Sequence, residues 1–406
     1  MPESGAGFWY VAPMEFPQQA DLASSLELSR SALAANVAVF RALNAGSPRR
    51  LGAVLKGNAY GHGFEPMLGL LHPLVDALYV IAPGEGLAIR RLERERGLPR
   101  REVLVIGAVS AEEAVALARE GVDAVLADGG WQPHVAALRA AKLTLRVHVH
   151  LDTGLGREGF TLAQLAKGEA RVLADGRDAL EVAGVMTHFA NTEDVTEQTY
   201  AQAQLDAYQK GFAALKAVVP LEGVQRHMAA SAAALVLPPA RQDVLRVGIA
   251  MYGLWPSAET RLSARVVLGH VPALRPVLAW RCPSQVVKWL EAGSSVGYGC
   301  TYKCPAPTRV AVLPVGYFDG YPRLLSGRAH VLVNGHRCKV LGRVMMNHLI
   351  VDVTHAAGDE RPVVATLLGR DGEEALPAEQ LATWGDTIHY ELVTRIGAHL
   401  ARRVVE

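Results

Sequence analysis

At 406 residues, half of them hydrophobic, the chain has enough apolar side chain for two domains, or for one large barrel with a smaller partner. Its 41 basic and 40 acidic side chains nearly cancel, and no basic run is interleaved with aromatics, which argues against nucleic acid and anionic membrane as partners. No apolar stretch reaches the roughly 18 residues that span a bilayer.

Residues 1–24 are expected to be irregular, with prolines at positions 2, 13 and 17. Met1 to Gln18 carries Glu3 and Glu15 and lacks the cationic-then-apolar order of a secretory signal. A cytoplasmic protein is therefore expected. Its four cysteines, Cys282, Cys300, Cys304 and Cys338, then default to free thiols, and no ligand pair has the spacing of a zinc finger. Ser25 to Ser29 alternates like a short strand. Ser31 to Leu43 has helical spacing, with Ser31 placed as the N-cap.

From Leu51 a rhythm sets in. Apolar runs occupy 51–55, 77–82, 103–107, 124–127, 145–151, 181–186, 224–228 and 244–250, and most are separated by segments of helical composition such as Gly84 to Arg96, Ala111 to Glu120 and Gln202 to Val218. Eight strands alternating with helices predict a (β/α)8 barrel over residues 25–266. An open doubly wound sheet usually offers an early G-x-G-x-x-G turn, and none is present. Beyond residue 266 the segments 275–281, 284–290, 309–315, 329–333, 337–341, 348–353, 363–368 and 387–393 are short, β-branched and punctuated by turn residues. They predict an all-β domain over 267–406, to which residues 1–24 could add, with a hairpin turn at Asn334-Gly335.

A barrel places its reactive residues at the C-terminal ends of its strands. The first strand here ends in Lys56, followed by Gly57-Asn58 and Gly61-His62-Gly63. Burial lowers an amine's pKa, which suits a base or an imine-forming lysine. The fifth strand runs into Asp152-Thr-Gly-Leu-Gly-Arg157, the sixth ends in Thr187-His188-Phe189, the seventh carries His227 and reaches Ser231, and the eighth holds Arg246-Val-Gly248-Ile249. The Ser231 hydroxyl and the Gly248 and Ile249 amides read as an anion cradle after strands seven and eight, the usual phosphate position of such barrels. A lysine after the first strand and a phosphate grip after the last two suggest pyridoxal 5′-phosphate, joined to Lys56.

These residues are recognisable. The stretch Ala53-Val-Leu-Lys-Gly-Asn-Ala-Tyr-Gly-His-Gly63 resembles the cofactor-attachment signature of alanine racemases. The resemblance continues through Leu151 to Arg157, Thr187 to Phe189, His227 to Ala233 and Arg246 to Ile249. In the second domain it runs through Val296-Gly-Tyr298-Gly, Leu313 to Arg323, Gly342-Arg343-Val-Met-Met346-Asn347 and Ile388-His-Tyr390-Glu. It implies a homodimeric racemase that supplies D-alanine for peptidoglycan by a two-base mechanism. Lys56 would be one base, and Tyr298, from the second domain of the other copy, the opposing one. Tyr60, Ser231, Gly248, Ile249 and Tyr390 would hold the phosphate. Arg246 would face the pyridine nitrogen, keeping it unprotonated because arginine does not readily yield a proton. His188 would hydrogen-bond toward Tyr298 and Arg246, and Arg157 would touch the cofactor's phenolic oxygen. Tyr317, Arg323 and Arg343 would belong to the entrance, and Met346 with Asn347 would touch the substrate. For Arg246 the competing reading is a structural ion pair with Asp243.

The chain also departs from that pattern. The family commonly has a lysine, often carbamylated, where His150 stands, so Arg157 needs another anchor, a bound anion or His150 itself. Ala230 replaces an asparagine before the phosphate serine. Asn347 replaces an aspartate, as in racemases of broader specificity, which opens serine and larger or basic amino acids as substrates. A barrel-type decarboxylase on the same plan would carry a Gly-rich phosphate segment and a reactive cysteine in the second domain, and neither pattern is evident. A cofactor-binding homeostasis protein would lack the long β domain.

Overall fold

The computed structural model describes residues 24–45, 47, 49–192, 198–356, 358 and 362–406. The irregular N-terminal stretch and its reading as no export signal lie outside these residues, apart from Ser24. The described residues divide into two compact units, Leu28–Leu278 with Val404–Glu406, and Ala279–Arg403 with residues 24–27. Residue 266 falls inside a helix, Ala258–Leu268, and the change of architecture follows at residues 278 and 279.

After β1 (Ser25–Ser29) come the eight strands of the first unit. They are β2 (Arg50–Val54), β3 (Ala77–Val80), β4 (Glu102–Val105), β5 (Asp123–Leu126), β6 (Leu145–His150), β7 (Leu180–Met186), β8 (Gln225–His227) and β9 (Val244–Val247). They neighbour one another in the order β8-β7-β6-β5-β4-β3-β2-β9, with parallel pairing throughout. At the β8/β9 seam, Asp243 N–H donates to the Arg226 carbonyl and Arg246 N–H to the Ala229 carbonyl, each at 2.9 Å. The eight-stranded barrel is therefore as the sequence rhythm predicts, because buried parallel strands must be apolar on both faces.

The helices between strands are fixed by local chemistry. Helix Ala111–Glu120 starts in a reciprocal cap, where Ser110 N–H donates to Glu113 Oε2 at 2.7 Å and Glu113 N–H returns a bond to Ser110 Oγ at 3.2 Å. It stops at Gly121, in the left-handed conformation at φ 58°. The first helix is Arg30–Leu43, and its cap is Ser29 rather than Ser31: Ser29 Oγ accepts from Ala32 N–H at 3.1 Å. Ser29 keeps the extended backbone of β1, which an N-cap requires, whereas Ser31 already lies in the first turn.

In the second unit the antiparallel strands Val286–Leu290, Thr308–Leu313, Leu349–Asp352, His336–Leu341 and His330–Val333 adjoin in that order, followed by Val364–Asp371 and Leu278–Pro283. The hairpin turn at Asn334-Gly335 is present, with both residues at positive φ (49° and 76°) and Val333 paired to His336. The strand expected over 387–393 is instead a helix, His389–Thr394, preceded by another, Ala378–Trp384. His389, Leu392 and Val393 are its buried positions, a helical spacing that the β-branched composition of the segment obscured.

Inside the barrel, Tyr79 of β3 lies fully buried against β2, in a cluster with Val54, Leu104, Val125 and Met186. The packing depends on Gly52, since a Cβ there would stand 2.1 Å from Tyr79 Cε2. Gly52→Ala should therefore lower unfolding free energy by about 1–3 kcal/mol in urea titrations. Adding Tyr79→Leu, which vacates the clash, should recover part of the loss. A Gly52→Ala chain as stable as the parent would show that Tyr79 has room to turn.

Candidate active site

Lys56 opens a short helical turn, Lys56–Tyr60, directly after β2. The turn is left-handed. Gly57, Asn58, Ala59 and Tyr60 have φ of 64°, 55°, 53° and 53°. Each non-glycine residue in this conformation costs roughly 1–2 kcal/mol, so the segment must be held from outside. Ala59 N–H donates to the Leu55 carbonyl at 2.8 Å, Gly63 N–H to the Asn58 carbonyl at 2.9 Å, and Phe64 N–H to Asn58 Oδ1 at 2.8 Å. Tyr252 packs on His62 and Tyr60 at 4.5 and 5.2 Å between ring centres, and its hydroxyl donates to the Val54 carbonyl at 2.7 Å. The run of glycines and Asn58, a residue that tolerates the left-handed region, hinted at an unusual turn, but nothing in the residue types of Ala59 and Tyr60 marks two further left-handed positions. Burial, reinforced by the charges of Arg157 and Arg246, lowers the Lys56 pKa, while Glu158 opposes the shift.

The turn carries Tyr60 to the end of β9. A Cβ on Gly248 would sit 2.4 Å from the Tyr60 hydroxyl, so only glycine lets that hydroxyl approach. Burial pushes the Tyr60 pKa up to about 12, leaving a neutral O–H that can donate. Ser231, the first residue of helix Ser231–Val236, accepts through Oγ from Gly248 N–H at 3.1 Å and from Ala250 N–H at 3.3 Å. Ile249 lies between these two amides. The expected cradle residues Tyr60, Ser231, Gly248 and Ile249 are thus brought to one rim, and Ala250 is an addition. A hydroxyl, backbone amides and a neutral phenol converging at a barrel rim fit a phosphate, and Lys56 lies at the same strand ends. The residues present therefore fit pyridoxal 5′-phosphate.

Arg246 is 4% exposed and meets no carboxylate among the described residues. Asp243, the alternative partner, lies three residues back, just before β9. It accepts from Arg226 N–H at 2.7 Å instead. Arg246 donates to the Thr187 carbonyl at 2.8 Å and, through Nη1, to the His227 carbonyl at 2.5 Å and to His227 Nδ1 at 2.9 Å. The expected bond to the His188 imidazole is not among these. Burial lowers the Arg246 pKa to about 10, still protonated at neutrality.

A protonated Arg246 fixes what lies beneath it. His227 Nδ1 must accept, so its proton is on Nε2, which donates to His148 Nδ1 at 2.7 Å. His148 Nε2 then donates to Asp123 Oδ2 at 3.2 Å. All four residues are buried, and Gly184 makes room for the chain, since a Cβ there would lie 2.3 Å from His148 Nδ1. Asp123 begins β5, so the chain runs from the reactive rim to the opposite end of the barrel. His148 and Asp123 escaped the sequence reading. His148 sits within an apolar run and Asp123 immediately before one, and only the closed barrel places them in line.

The other rim residues carry unlike charges. His188 is lowered to about 3 and His150 to about 4, in each case by burial first and then by Arg246. Both are therefore neutral at pH 7. Nδ1 of His150 has no hydrogen-bond partner among the described residues. Among the described residues Arg157 meets Glu158 rather than His150. Its Nε donates to Glu158 Oε2 at 2.5 Å, a carboxylate the sequence reading passed over.

In the second unit Tyr298 follows Gly297, at φ 72°, and is 69% exposed. A Cβ on the next glycine, Gly299, would meet Arg343 Nη1 at 3.1 Å. Tyr317 N–H donates to the Met345 carbonyl and Phe318 N–H to the Met346 carbonyl, each at 3.0 Å. Arg323 stands 5.9 Å over the Tyr317 ring and donates to the Val344 carbonyl at 2.9 Å. Tyr298 and Arg343 therefore adjoin, as do Tyr317, Arg323 and Met346. Asn347 is exposed, and Tyr390 lies in the second helical position of His389–Thr394. Cys300 is exposed, while Cys282, Cys304 and Cys338 are buried.

The tautomers are open to measurement. Nitrogen-15 spectra of the imidazoles should show the ring proton of the His227–His148 bond on His227 Nε2, and a proton on Nδ1 of either residue would break the proposed direction of the chain. Asp123→Leu should cost about 1–3 kcal/mol of stability in chemical unfolding, because it strands a buried imidazole N–H.

Comparison with known proteins bears on the whole chain. Residues 28–256 match the alanine racemase N-terminal domain family and residues 277–404 the alanine racemase C-terminal domain family. An alanine racemase of Symbiobacterium thermophilum is 38% identical over 383 residues, covering 93% of this chain and 95% of that protein. One of Leptospira interrogans is 35% identical over 393 residues, covering 94% and 96%. The crystal structure of alanine racemase from Bacillus anthracis with bound L-Ala-P is similar at a TM-score of 0.86, with 29% identity and 96% of each chain covered. Enzymes of this family depend on pyridoxal 5′-phosphate, the group that the Lys56 rim fits. On both domain matches, and on near-complete overlap with its relatives, the chain belongs to the alanine racemase family.

Proposed function

We propose that the protein is a pyridoxal 5′-phosphate-dependent amino-acid racemase that interconverts L- and D-alanine and supplies D-alanine for peptidoglycan in the cytoplasm. The observation that carries this reading is Lys56, an amine of lowered pKa at a strand end shared with an anion cradle of Tyr60, Ser231 and Gly248. When bound, the cofactor draws electron density from the substrate's Cα–H bond. Proton transfer then falls to the chain. Lys56, partly desolvated, is suited to take or return a proton on one face of Cα. Arg246 would face the ring nitrogen as a cation and give it no proton. Ile249 and Tyr390 would complete the phosphate site, Arg157 would bind the phenolic oxygen, His188 would lie toward the opposing base, and Tyr317, Met346 and Asn347 would meet the substrate.

Racemisation also needs a base on the other face, for which we propose Tyr298 of the partner subunit in a homodimer. Its exposure, with Tyr317, Phe318, Met346 and Ile388 also exposed on the same unit, supports a surface that a second copy covers. The neutral amide of Asn347 favours a second reading, a racemase accepting serine or larger and basic amino acids.

The test is incubation of the cofactor-loaded protein in heavy water with a panel of L- and D-amino acids, reading deuterium at Cα and product chirality. Alanine alone should exchange and racemise under the first reading, and a broad response would favour the second. Carbon dioxide release would instead indicate a decarboxylase. Lys56→Arg should lose activity altogether. Tyr298→Phe should slow abstraction from one enantiomer by about 10²–10⁴-fold and from the other far less, and an equal loss from both would remove Tyr298 as a one-face base.

A further inference from the structure

We propose that Glu158 is a positioning residue of this site, whose carboxylate holds the Arg157 side chain through Nε and supplies the negative charge that balances Arg157 and Arg246 around Lys56. The inference rests on the racemase reading for its purpose, though not for its geometry. Arg157 Nε and Glu158 Oε2 are 2.5 Å apart. The turn beneath them is rigid. Asp152 Oδ1 accepts from Gly154 N–H at 2.9 Å and from Gly156 N–H at 3.1 Å. Asp152 N–H donates to the Phe160 carbonyl at 3.0 Å, and Phe160 N–H to the His150 carbonyl at 2.8 Å, so the loop closes back on the end of β6. Gly156 and Gly159 have φ of 72° and 116°, and a Cβ on Gly159 would meet Asp152 N at 2.6 Å. Arg157 and Glu158 therefore project from a platform whose backbone cannot readily move.

The neighbours leave this task to Glu158. Asp152 spends Oδ1 on the turn's own amides. His150, at the adjoining strand end, is 2% exposed and neutral, so it offers Arg157 no counter-charge. Among the described residues Glu158 is the carboxylate paired with Arg157. The pair is half open to solvent, with side chains 54% and 34% exposed, so it adds little to folding. Its effect is local. With Nε engaged, the two terminal nitrogens of the guanidinium remain for a ligand oxygen. The carboxylate also acts on the site's bases: Arg157 and Arg246 disfavour protonation of both Lys56 and His150, and Glu158 favours it.

The test compares Glu158→Gln, which keeps shape and removes charge, with Glu158→Asp, which keeps charge. In the cofactor-free protein, Lys56 is labelled competitively with an amine reagent across pH and quantified by peptide mass spectrometry. Glu158→Gln should make Lys56 more reactive, by at least about threefold on the rising limb of the curve, with Glu158→Asp returning most of the parent behaviour. In the loaded protein, the pH midpoint of the absorption band of the Lys56-bound cofactor should move the same way, to lower pH. Unchanged labelling and absorption curves in a Glu158→Gln protein of parental thermal stability would overturn the proposal. A parent chain that takes up no cofactor at Lys56 would instead overturn the racemase reading, and the labelling curves would still decide the role of Glu158.

Discussion

A buried guanidinium without a carboxylate sets the terms for the barrel rim. Arg246 holds its charge in a site that solvent hardly reaches, and desolvating an ion costs several kcal/mol unless hydrogen bonds replace the lost water. The Thr187 and His227 carbonyls and His227 Nδ1 do so. Because those partners are neutral, the positive field persists and falls on every base nearby. It lowers His188, His150 and His227 and adds to the burial of Lys56. Burial thus acts first on the histidines and the lysine, and the cation acts in the same direction. An aspartate beside Arg246 would remove that second contribution and leave burial and Arg157 to lower Lys56.

The left-handed turn after Lys56 answers a different constraint. A strand that simply ended at the rim would leave Tyr60 no route to β9. Winding four residues the wrong way reverses the chain within one turn and brings the Tyr60 hydroxyl against Gly248. The strain, of order several kcal/mol over three non-glycine residues, is offset by the Asn58 contacts and by Tyr252, which is itself tied to Val54 of β2. The strand that presents the lysine therefore also anchors the clamp on the turn that follows it.

Much of this was legible in the sequence because the signals were local or repetitive. The barrel followed from eight apolar runs, most of them separated by segments of helical composition, Lys56 and Ser231 from their places just beyond run ends, and Arg246 from its place in the last run. What stayed hidden depends on contacts distant in the chain. Asp123 and His148 look like stray polar residues in buried strands until the barrel closes and lines them up with His227. Glu158 looks like a surface acid until the glycines around it fold the turn onto β6. The helix at His389–Thr394 was masked by its β-branched composition, and the cap at Ser29 by a second serine two residues on. Local propensity could not rank these alternatives, whereas packing did.

The two ends of the His227–His148–Asp123 chain meet unlike surroundings: Arg246 has neutral partners, whereas Asp123 also pairs with Arg146 Nε at 3.4 Å. Asp123 places its negative charge at the far end of the barrel, joined to Arg246 by imidazoles that each pass on a hydrogen bond in the same direction. A carboxylate in contact with Arg246 would have matched its charge at once, but at the rim it would also have drawn a proton onto Lys56. Set two imidazoles away, it polarises the chain and orients the guanidinium while contributing little field at the rim. Glu158 then provides the rim's own negative charge, on a turn open to solvent, where screening moderates its pull on the lysine. Burial depth therefore divides the work between the two carboxylates. Asp123 sets the direction of the buried chain, and Glu158 trims the charge at its mouth.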